Sequence, residues 1–314
     1  MFVTTPAVAE PDPEGGTATL RAQLEAATAG YLDAKAQYDA SKRTEAAMNQ
    51  QMRTTEMRLA LLNQQVGVVA ARSYRTGRLG VMTALLSSGS PDMFLQRAAS
   101  VEMLAIQENA RLAELNRLRR ELAQHRDRLG AELQTQTQLL AEMEKKKKDA
   151  ERALGGAGRP FGGFVSGNSP AAKPAPRNAD GSWPVESCIV DDPTTTGCLT
   201  PRTYHAYTQA RVAGFKRYCS CWRSGGGGEH PKGRACDFAA ASGGFGGVAT
   251  GGDKTYGDQL AMWFVDNADR LGVMYVIWFD KIWTAGNART AWRDYSGSGS
   301  PSAEHTNHVH VSVR

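Results

Sequence analysis

A proline-free heptad repeat constrains the fold of this chain more than any other feature of its sequence. Proline is absent from residues 14–90 and 92–159, and proline is the residue that most readily breaks a helix. From Leu24 onward, apolar residues occupy most a and d positions of a heptad, and leucines return at similar spacing between Leu115 and Leu133. The pattern predicts two antiparallel helices of about 50 residues each that form a coiled-coil hairpin.

Glycine and proline cluster where the two predicted helices should meet. Gly77, Gly80, Gly89 and Pro91 lie there among apolar residues, which predicts a compact tip at about 74–98. A thin two-helix tip cannot bury all its apolar side chains, so we expect the tip as a whole to provide a docking surface. Packing of these side chains on one another is the alternative.

Composition divides the chain into segments with different physical character. All six tryptophans and all five cysteines lie between residues 183 and 292, whereas the first half has the composition of long helices. Glycine and proline dominate the stretch between the two halves, which is typical of a flexible tether. We therefore predict a multidomain protein with a residual signal or disordered segment at 1–16, a helical hairpin at 17–152, a linker at 153–182 and a small α+β domain at 183–314.

The cysteines and the N-terminus together predict an exported protein. The cysteine spacing is typical of disulfides in an oxidising compartment rather than of paired zinc ligands. We expect the pairs Cys188–Cys198 and Cys221–Cys236, with Cys219 left over. Other pairings, and Cys236 as a metal ligand, are the alternatives. The small-x-small triplet at 7–9 resembles a signal-peptidase site, although the basic and apolar segments of a signal peptide do not precede it. We therefore expect a truncated signal and a secreted or cell-envelope location; a chance match is the alternative.

Periodicity predicts the elements of the C-terminal domain. Helices are expected over 200–215 and 257–271, where apolar residues recur at helical spacing. Strands are expected over 273–283 and 309–313, which are rich in β-branched and aromatic residues. This combination predicts an α+β fold.

Two short blocks concentrate histidines in the C-terminal domain. The first is HPKGRACD over 230–237, and the second is EHTNHVHVSV over 304–313. Alternate residues of a strand face the same side, so His308 and His310 should project together. Neutral imidazoles with one carboxylate and an open fourth position form a catalytic zinc site. Ordinary hydrogen-bonded polar residues are the alternative interpretation.

The motif HxxGxAxD followed by HxH resembles the zinc peptidases of the lysostaphin/D-Ala-D-Ala metallopeptidase superfamily. That superfamily includes D-Ala-D-Ala carboxypeptidases and penicillin-insensitive murein endopeptidases. The resemblance implies a small metallopeptidase-like α+β domain with Zn²⁺ as its cofactor. It also implies that the metal ligands are His230, Asp237 and His310.

The same resemblance implies the catalytic residues. His308 would polarise water or stabilise the oxyanion, and His305 could assist it. Arg223 lies where relatives carry an arginine that grips the substrate, which implies binding of a peptide carboxylate; a surface arginine is the alternative. Many D-Ala-D-Ala carboxypeptidases place a glutamate base three residues before the last ligand, where this chain has Asn307, and Glu304 stands further upstream. This departure favours an endopeptidase-like site.

The stretch AARSYRTGRLGVMTALLSSGSPDMFLQR over 70–97 resembles the coiled-coil region of exported actinobacterial and Gram-positive cell-wall hydrolases. In those proteins a similar hairpin precedes the catalytic domain, and some are controlled through it by a membrane ABC-transporter-like division complex. The resemblance implies such a complex as a partner of the tip. The formal net charge of +5 is mild, so we expect no nucleic-acid partner.

Together these features predict an exported peptidoglycan hydrolase. Zinc would activate water for attack on an amide bond of the peptide stem or cross-link, and the coiled-coil arm would regulate or localise the enzyme. The alternative is a catalytically weak or inactive wall-binding or activator protein that keeps the peptidase fold. A zinc peptidase that acts on ordinary proteins is a third interpretation.

Overall fold

A computed structural model provides the structure, which describes residues 14–87, 89–155, 163–295 and 299–314. These residues divide into two compact units, one of residues 41–137 and one that holds the remaining described residues. The triplet expected to be a signal remnant, at 7–9, lies outside the described residues.

Two long helices contribute to both units within the described part of the chain. Helix α1 spans Ala18–Leu86 and helix α2 spans Pro91–Ala153, so their 69 and 63 residues exceed the predicted length. Gly77 interrupts α1 with a positive φ of 59°, as expected for a glycine break. Helix α2 begins directly at Pro91, where the fixed φ of proline suits a first helical position. The tip is therefore largely helical.

In the unit of residues 41–137 the two helices pack against each other. Three of the predicted seam leucines are buried there: Leu115, Leu118 and Leu122. Leu133 was predicted in the seam but is 47% exposed. A polar layer takes its place, in which Ser41 donates to the Glu132 carboxylate and the Gln136 amide donates to Glu45 at 3.0 Å. Such a layer fixes helix register at some cost in stability.

The other unit contains, among its described residues, a six-stranded antiparallel sheet in the order β3-β4-β8-β5-β6-β7. The strands are β1 (Val190–Asp191), β2 (Cys198–Leu199), β3 (Cys219–Ser220), β4 (Ala235–Ala239), β5 (Val273–Trp278), β6 (Lys281–Thr284), β7 (Arg293–Asp294) and β8 (His308–Val313). The helices are α3 (Pro201–Val212), α4 (Gly251–Asp266) and α5 (Ala268–Leu271), with a short 3-10 helix at His230–Lys232. A helical hairpin followed by a small α+β domain is thus confirmed.

Two predicted elements have different bounds in the structure. The strand expected over 273–283 is a hairpin of β5 and β6, because Phe279 and Asp280 both adopt positive φ, 52° and 57°. Two consecutive residues of positive φ form a tight hairpin turn that usually carries Asn-Gly, so the Phe-Asp pair at these positions did not predict a turn. The helix expected over 257–271 begins earlier, at Gly251, and is divided into α4 and α5.

The sheet buries both faces. One face packs on α3, α4 and α5 through side chains such as Val276, Val309 and Val311. The opposite face, which carries Tyr275 and Ile277, is covered by the beginning of α1 and the end of α2. Successive strand residues point to opposite faces, so the residues between these valines on β8 face the helical hairpin.

The predicted linker is anchored where the structure describes it. Residues 163–182 form neither helix nor strand, but Ala172 and Ala175 are buried. The Ala172 N–H donates to the Asn267 side chain at 2.8 Å, and the Ala175 N–H donates to the Arg270 carbonyl at 2.7 Å. These bonds contradict the expectation of a free tether for this part of the linker.

The predicted disulfides are present in the described part of the chain. Cys188 is bonded to Cys198 and Cys221 to Cys236, while Cys219 carries a buried thiol. These bonds indicate an oxidising environment, and they remove Cys236 as a thiolate ligand. Among the described residues we find no helix with the length and apolar character needed to cross a bilayer.

Candidate functional site

Strands β4 and β8 bring the two histidine motifs together. They pair antiparallel, and Asp237 lies directly opposite His310 in the register. His310 Nδ1 lies 2.9 Å from Asp237 Oδ1. His230, at the start of the 3-10 helix, places Nε2 at 3.2 Å from both Asp237 Oδ2 and His310 Nδ1. All three side chains are at most 3% exposed. The three predicted metal ligands thus converge on one buried point.

Hydrogen bonds to the far ring nitrogens orient both histidines. His230 Nδ1 donates to the carbonyl oxygen of Cys221. A carbonyl can only accept, so Nδ1 carries the proton and neutral His230 presents a lone pair on Nε2. His310 Nε2 lies 2.8 Å from the Ser312 hydroxyl. When Nε2 donates to Ser312, Nδ1 presents its lone pair to the same point, which is the arrangement that metal-binding histidines use.

His308 lies beside this point but is oriented by a different neighbour. Its Nε2 is 3.6 Å from Asp237 Oδ1, and its Nδ1 is 2.7 Å from Asn307 Oδ1. The Asn307 amide nitrogen donates to the Gly246 carbonyl at 2.8 Å, so the amide oxygen must face His308. His308 Nδ1 therefore carries the proton, and Nε2 faces the site with a lone pair.

His305 and Arg223 also lie at the site. His305 is fully buried with its ring centre 4.9 Å from that of His308, and it has a positive φ of 50°. Arg223 Nη1 donates to Asp237 Oδ2 at 2.7 Å. Its side chain is 19% exposed, in contrast to the buried histidines. The structure therefore brings together all six residues predicted from the sequence, and Arg223 is paired with a predicted ligand.

Burial and neighbouring charges act in opposite directions on the pKa values of these groups. Burial alone would raise the pKa of Asp237, but His230, His308 and Arg223 hold it well below its usual range. Burial lowers the pKa of His310. Burial would also lower the pKa of His230, but Asp237 raises it overall. The directions for Asp237 and His310 favour an ionised carboxylate and a neutral imidazole, the forms that bind a metal ion, whereas the direction for His230 is the opposite.

Glu14 is the residue of the site that the sequence analysis missed. Its carboxylate is buried and accepts hydrogen bonds from the backbone N–H groups of Glu229 and His230 and from the Tyr275 hydroxyl at 3.1 Å. One carboxylate oxygen lies within 4.8 Å of a ring nitrogen of both His230 and His310. Nothing local in the sequence indicates this role, because His230 comes 216 residues later in the chain.

Two clusters of the described residues carry the atom types that hold a metal ion. One consists of Glu14, His230 and His310, and the Asp237 carboxylate lies next to it. The other consists of Cys219 on β3, Cys221 directly after β3 and Cys236 on β4. Two of those cysteines form a disulfide, so this group offers a single thiol. The histidine cluster is therefore the candidate metal centre.

Comparisons with known proteins match only part of the chain. A family model described as "VldE, C-terminal domain" matches residues 195–306, just over a third of the chain. The matched stretch includes the motif over 230–237 and ends before His308 and His310. No curated protein and no solved structure matches the chain significantly.

Proposed function

We propose that this protein is an exported zinc peptidase that cleaves an amide bond in the stem or cross-link of peptidoglycan. The observation that carries the proposal is the convergence of His230, Asp237 and His310 on one buried point. Two imidazole nitrogens and a carboxylate, each able to accept, face one another there at 2.9–3.2 Å. Three such groups in close contact suit a cation bound between them, whereas in its absence a ring proton of His310 would have to separate them.

The spacing of these atoms supports zinc. Zinc bonds of about 2.0–2.1 Å in tetrahedral geometry place neighbouring ligand atoms about 3.3 Å apart. The two imidazole nitrogens are 3.2 Å apart, and each faces a different oxygen of Asp237, at 3.2 Å from Oδ2 and 2.9 Å from Oδ1, so all three separations are close to that value. Two histidines and one carboxylate are also a known set of catalytic zinc ligands, with the fourth position left to water or substrate.

The remaining residues suit a hydrolytic site. Zinc held by this triad would supply Lewis-acid activation of a carbonyl or a water molecule. His308 presents Nε2 to the site with its orientation fixed by Asn307, so it can take a proton from water and return it to the leaving amine. Arg223 neutralises part of the charge on Asp237 and is exposed enough to meet a substrate carboxylate. His305 packs against the His308 ring and limits its movement.

The peptidoglycan substrate and the cell-envelope location rest on the sequence resemblances and the disulfides. The HxxGxAxD and HxH motifs resemble peptidases that act on cell-wall peptides, and residues 70–97 resemble the hairpin of exported wall hydrolases. The disulfides fit an exported protein. Exposed apolar side chains at the tip suit docking to a membrane division complex: Leu86, Met93, Phe94 and Leu95.

One observation favours a second candidate, a wall-binding or activator protein with weak or no catalysis. Asn307 occupies the position where many D-Ala-D-Ala carboxypeptidases carry a glutamate base. Its side chain is engaged with His308, with the Gly246 carbonyl and with Ser302. An amide held in this way cannot accept a proton from water, so hydrolysis depends on His308.

Metal analysis and digestion of peptidoglycan test the proposal on the full chain. We expect about one zinc per chain, lost in His230→Ala and in His310→Ala and retained in His205→Ala, a histidine on α3 that bonds the Lys173 carbonyl. Mass spectrometry of digested peptidoglycan should show new peptide termini with wild type and His205→Ala, but not with His230→Ala or His310→Ala.

Three results would contradict parts of the proposal. Absence of zinc from the wild type would overturn the metallopeptidase. Zinc without new peptidoglycan termini, both in wild type and in a Glu14→Ala variant that lacks the buried carboxylate beside His230 and His310, would favour the wall-binding protein. Cleavage of casein but not of peptidoglycan would favour a general protease.

A further inference from the structure

The candidate metal centre is closed by a segment of its own chain. His230, Asp237, His308 and His310 are each at most 2% exposed, although a peptidase must admit water and a peptide chain. The sheet face that carries them is the face covered by the beginning of α1. Glu14, which precedes α1, reaches into the centre itself.

Contacts of Glu14 and of the residues that follow it hold this carboxylate in place. In addition to the three bonds to its carboxylate, its backbone carbonyl accepts from the Tyr295 hydroxyl at 2.7 Å. The carbonyls of the next two residues accept from Arg21 Nη1, each at 3.1 Å. Further along, Glu25 binds Lys232 at 2.6 Å and Arg234 at 2.9 Å. Residues 14–25 are therefore fastened to the loop that supplies His230.

The glycine-rich loop before His230 leaves space for the Glu14 carboxylate. A Cβ atom added at Gly228 would lie 2.2 Å from the carboxyl carbon of Glu14, which is far inside van der Waals contact. Gly226, two residues earlier, has almost the same φ, 79° against 80°, but a Cβ there would meet no atom within 4 Å. Only a glycine at 228 accommodates Glu14 in its observed position.

We propose that Glu14 is a closing ligand of the metal centre: its carboxylate takes the open coordination position in the resting protein and leaves when residues 14–25 move away. The inference rests on the proposed zinc site. A carboxylate oxygen already lies within 4.8 Å of both histidine nitrogens. Ligand atoms on a tetrahedral zinc are about 3.3 Å apart, so a shift of at most about 1.5 Å brings the Glu14 oxygen to the spacing of a zinc ligand.

Opening is a simple ligand exchange. The Glu14 oxygen leaves the metal, and a water molecule takes its place with no change of oxidation state. The charges make this exchange reversible. Glu14 and Glu229 are both buried, and the charges of their carboxylates repel each other, which disfavours the closed arrangement. The ion pairs of Glu25 are partly exposed and contribute little each. Displacement of the first turns of α1, which begins at Ala18, would carry Glu14 away.

The rate at which a chelator removes the metal tests the closing role without an activity assay. The full chain is loaded with zinc and mixed with excess dipicolinate. We expect Glu14→Ala to release zinc at least about tenfold faster than wild type, because it loses both a ligand and a cover. Gly228→Ala should act in the same direction, since its methyl group displaces the Glu14 carboxylate. Gly226→Ala carries the same backbone cost and should release zinc at the wild-type rate, as should Glu142→Ala on exposed α2 surface.

Cobalt provides a second measurement on the same variants. In cobalt-loaded wild type, acetohydroxamate should leave the visible spectrum unchanged, because Glu14 occupies the position that the hydroxamate needs. In Glu14→Ala the same compound should shift the spectrum. Equal release rates and equal hydroxamate responses in wild type and Glu14→Ala would overturn the closing role while the zinc site stands. Absence of metal binding by the wild type would overturn the proposed function, and the closing role with it.

Discussion

Replacing Ser312 with alanine should weaken zinc binding about 5- to 150-fold. Ser312 and His310 are both fully buried, and the Ser312 hydroxyl lies 2.8 Å from His310 Nε2. A metal on Nδ1 leaves the ring proton on Nε2, where Ser312 accepts it. Without the hydroxyl, the metal-bound form would keep a buried N–H group that has lost its acceptor.

The magnitude follows from the two tautomers of His310. In the metal-free protein Nδ1 can carry the proton and donate it to Asp237 at 2.9 Å, so loss of the hydroxyl costs little there. In the metal-bound protein only the other tautomer is possible, and a buried donor without a partner costs about 1–3 kcal/mol. Since the cost falls only on the metal-bound form, all of it appears as weaker zinc binding. A free energy of 1.4 kcal/mol corresponds to a factor of about ten in the binding constant.

Competition with a chromophoric zinc chelator at fixed pH measures this change. Ser312→Thr keeps the hydroxyl and is the matched control, so it should bind zinc nearly as tightly as wild type. Thermal unfolding of the metal-free proteins should show Ser312→Ala close to wild type, since its cost falls on the metal-bound form. A zinc affinity within about twofold of wild type for Ser312→Ala would refute the assignment of Nδ1 as the ligand atom.

Two further predictions follow from other contacts. Asn307→Ala should lower kcat on peptidoglycan fragments at least about tenfold, with KM and zinc content nearly unchanged, because His308 loses the acceptor 2.7 Å from its Nδ1. Asn307→Asp keeps an acceptor and should restore part of the rate. Equal losses of kcat in both variants would contradict this positioning role. Burial alone would raise the pKa of Glu25, but Lys232 and Arg234 lower it below its ordinary value of 4.5 in the folded protein. The stability that Glu25 contributes is therefore present at neutral pH and is lost as the pH falls below 4.5 and through the lowered pKa. Urea unfolding should show wild type more stable than Glu25→Gln by about 0.2–1 kcal/mol at pH 7 and equal to it in strong acid; a constant difference would show that the ion pairs are not its source.

Properties that depend on neighbouring residues were predictable from the sequence. The heptads and the absence of proline predicted the hairpin, because helix formation responds to residues three and four positions apart. The pairing of His308 with His310 on one face follows from strand periodicity alone. The disulfides were predictable because each joins cysteines only 10 or 15 residues apart.

The errors of the sequence analysis lie where distant segments decide the outcome. Leu133 fits the heptad, but polar pairs with the opposite helix take its place in the seam. The glycine- and proline-rich stretch was predicted to be a free tether, yet the part that the structure describes is bonded to α5 and to Asn267, the residue that precedes α5. Composition reports how flexible a segment is in isolation, and it contains no information about the surface that the segment meets.

The sequence by itself determined the residue types of the candidate metal centre and their spacing within each motif. Only the tertiary structure decided that the motifs meet across β4 and β8, that Ser312 and Asn307 lie against the histidines, and that Glu14 reaches His230 and His310. The physical reason is that a hydrogen bond or a coordination bond acts over about 3 Å. Groups far apart in the chain reach that distance only after the sheet and the helical hairpin have packed.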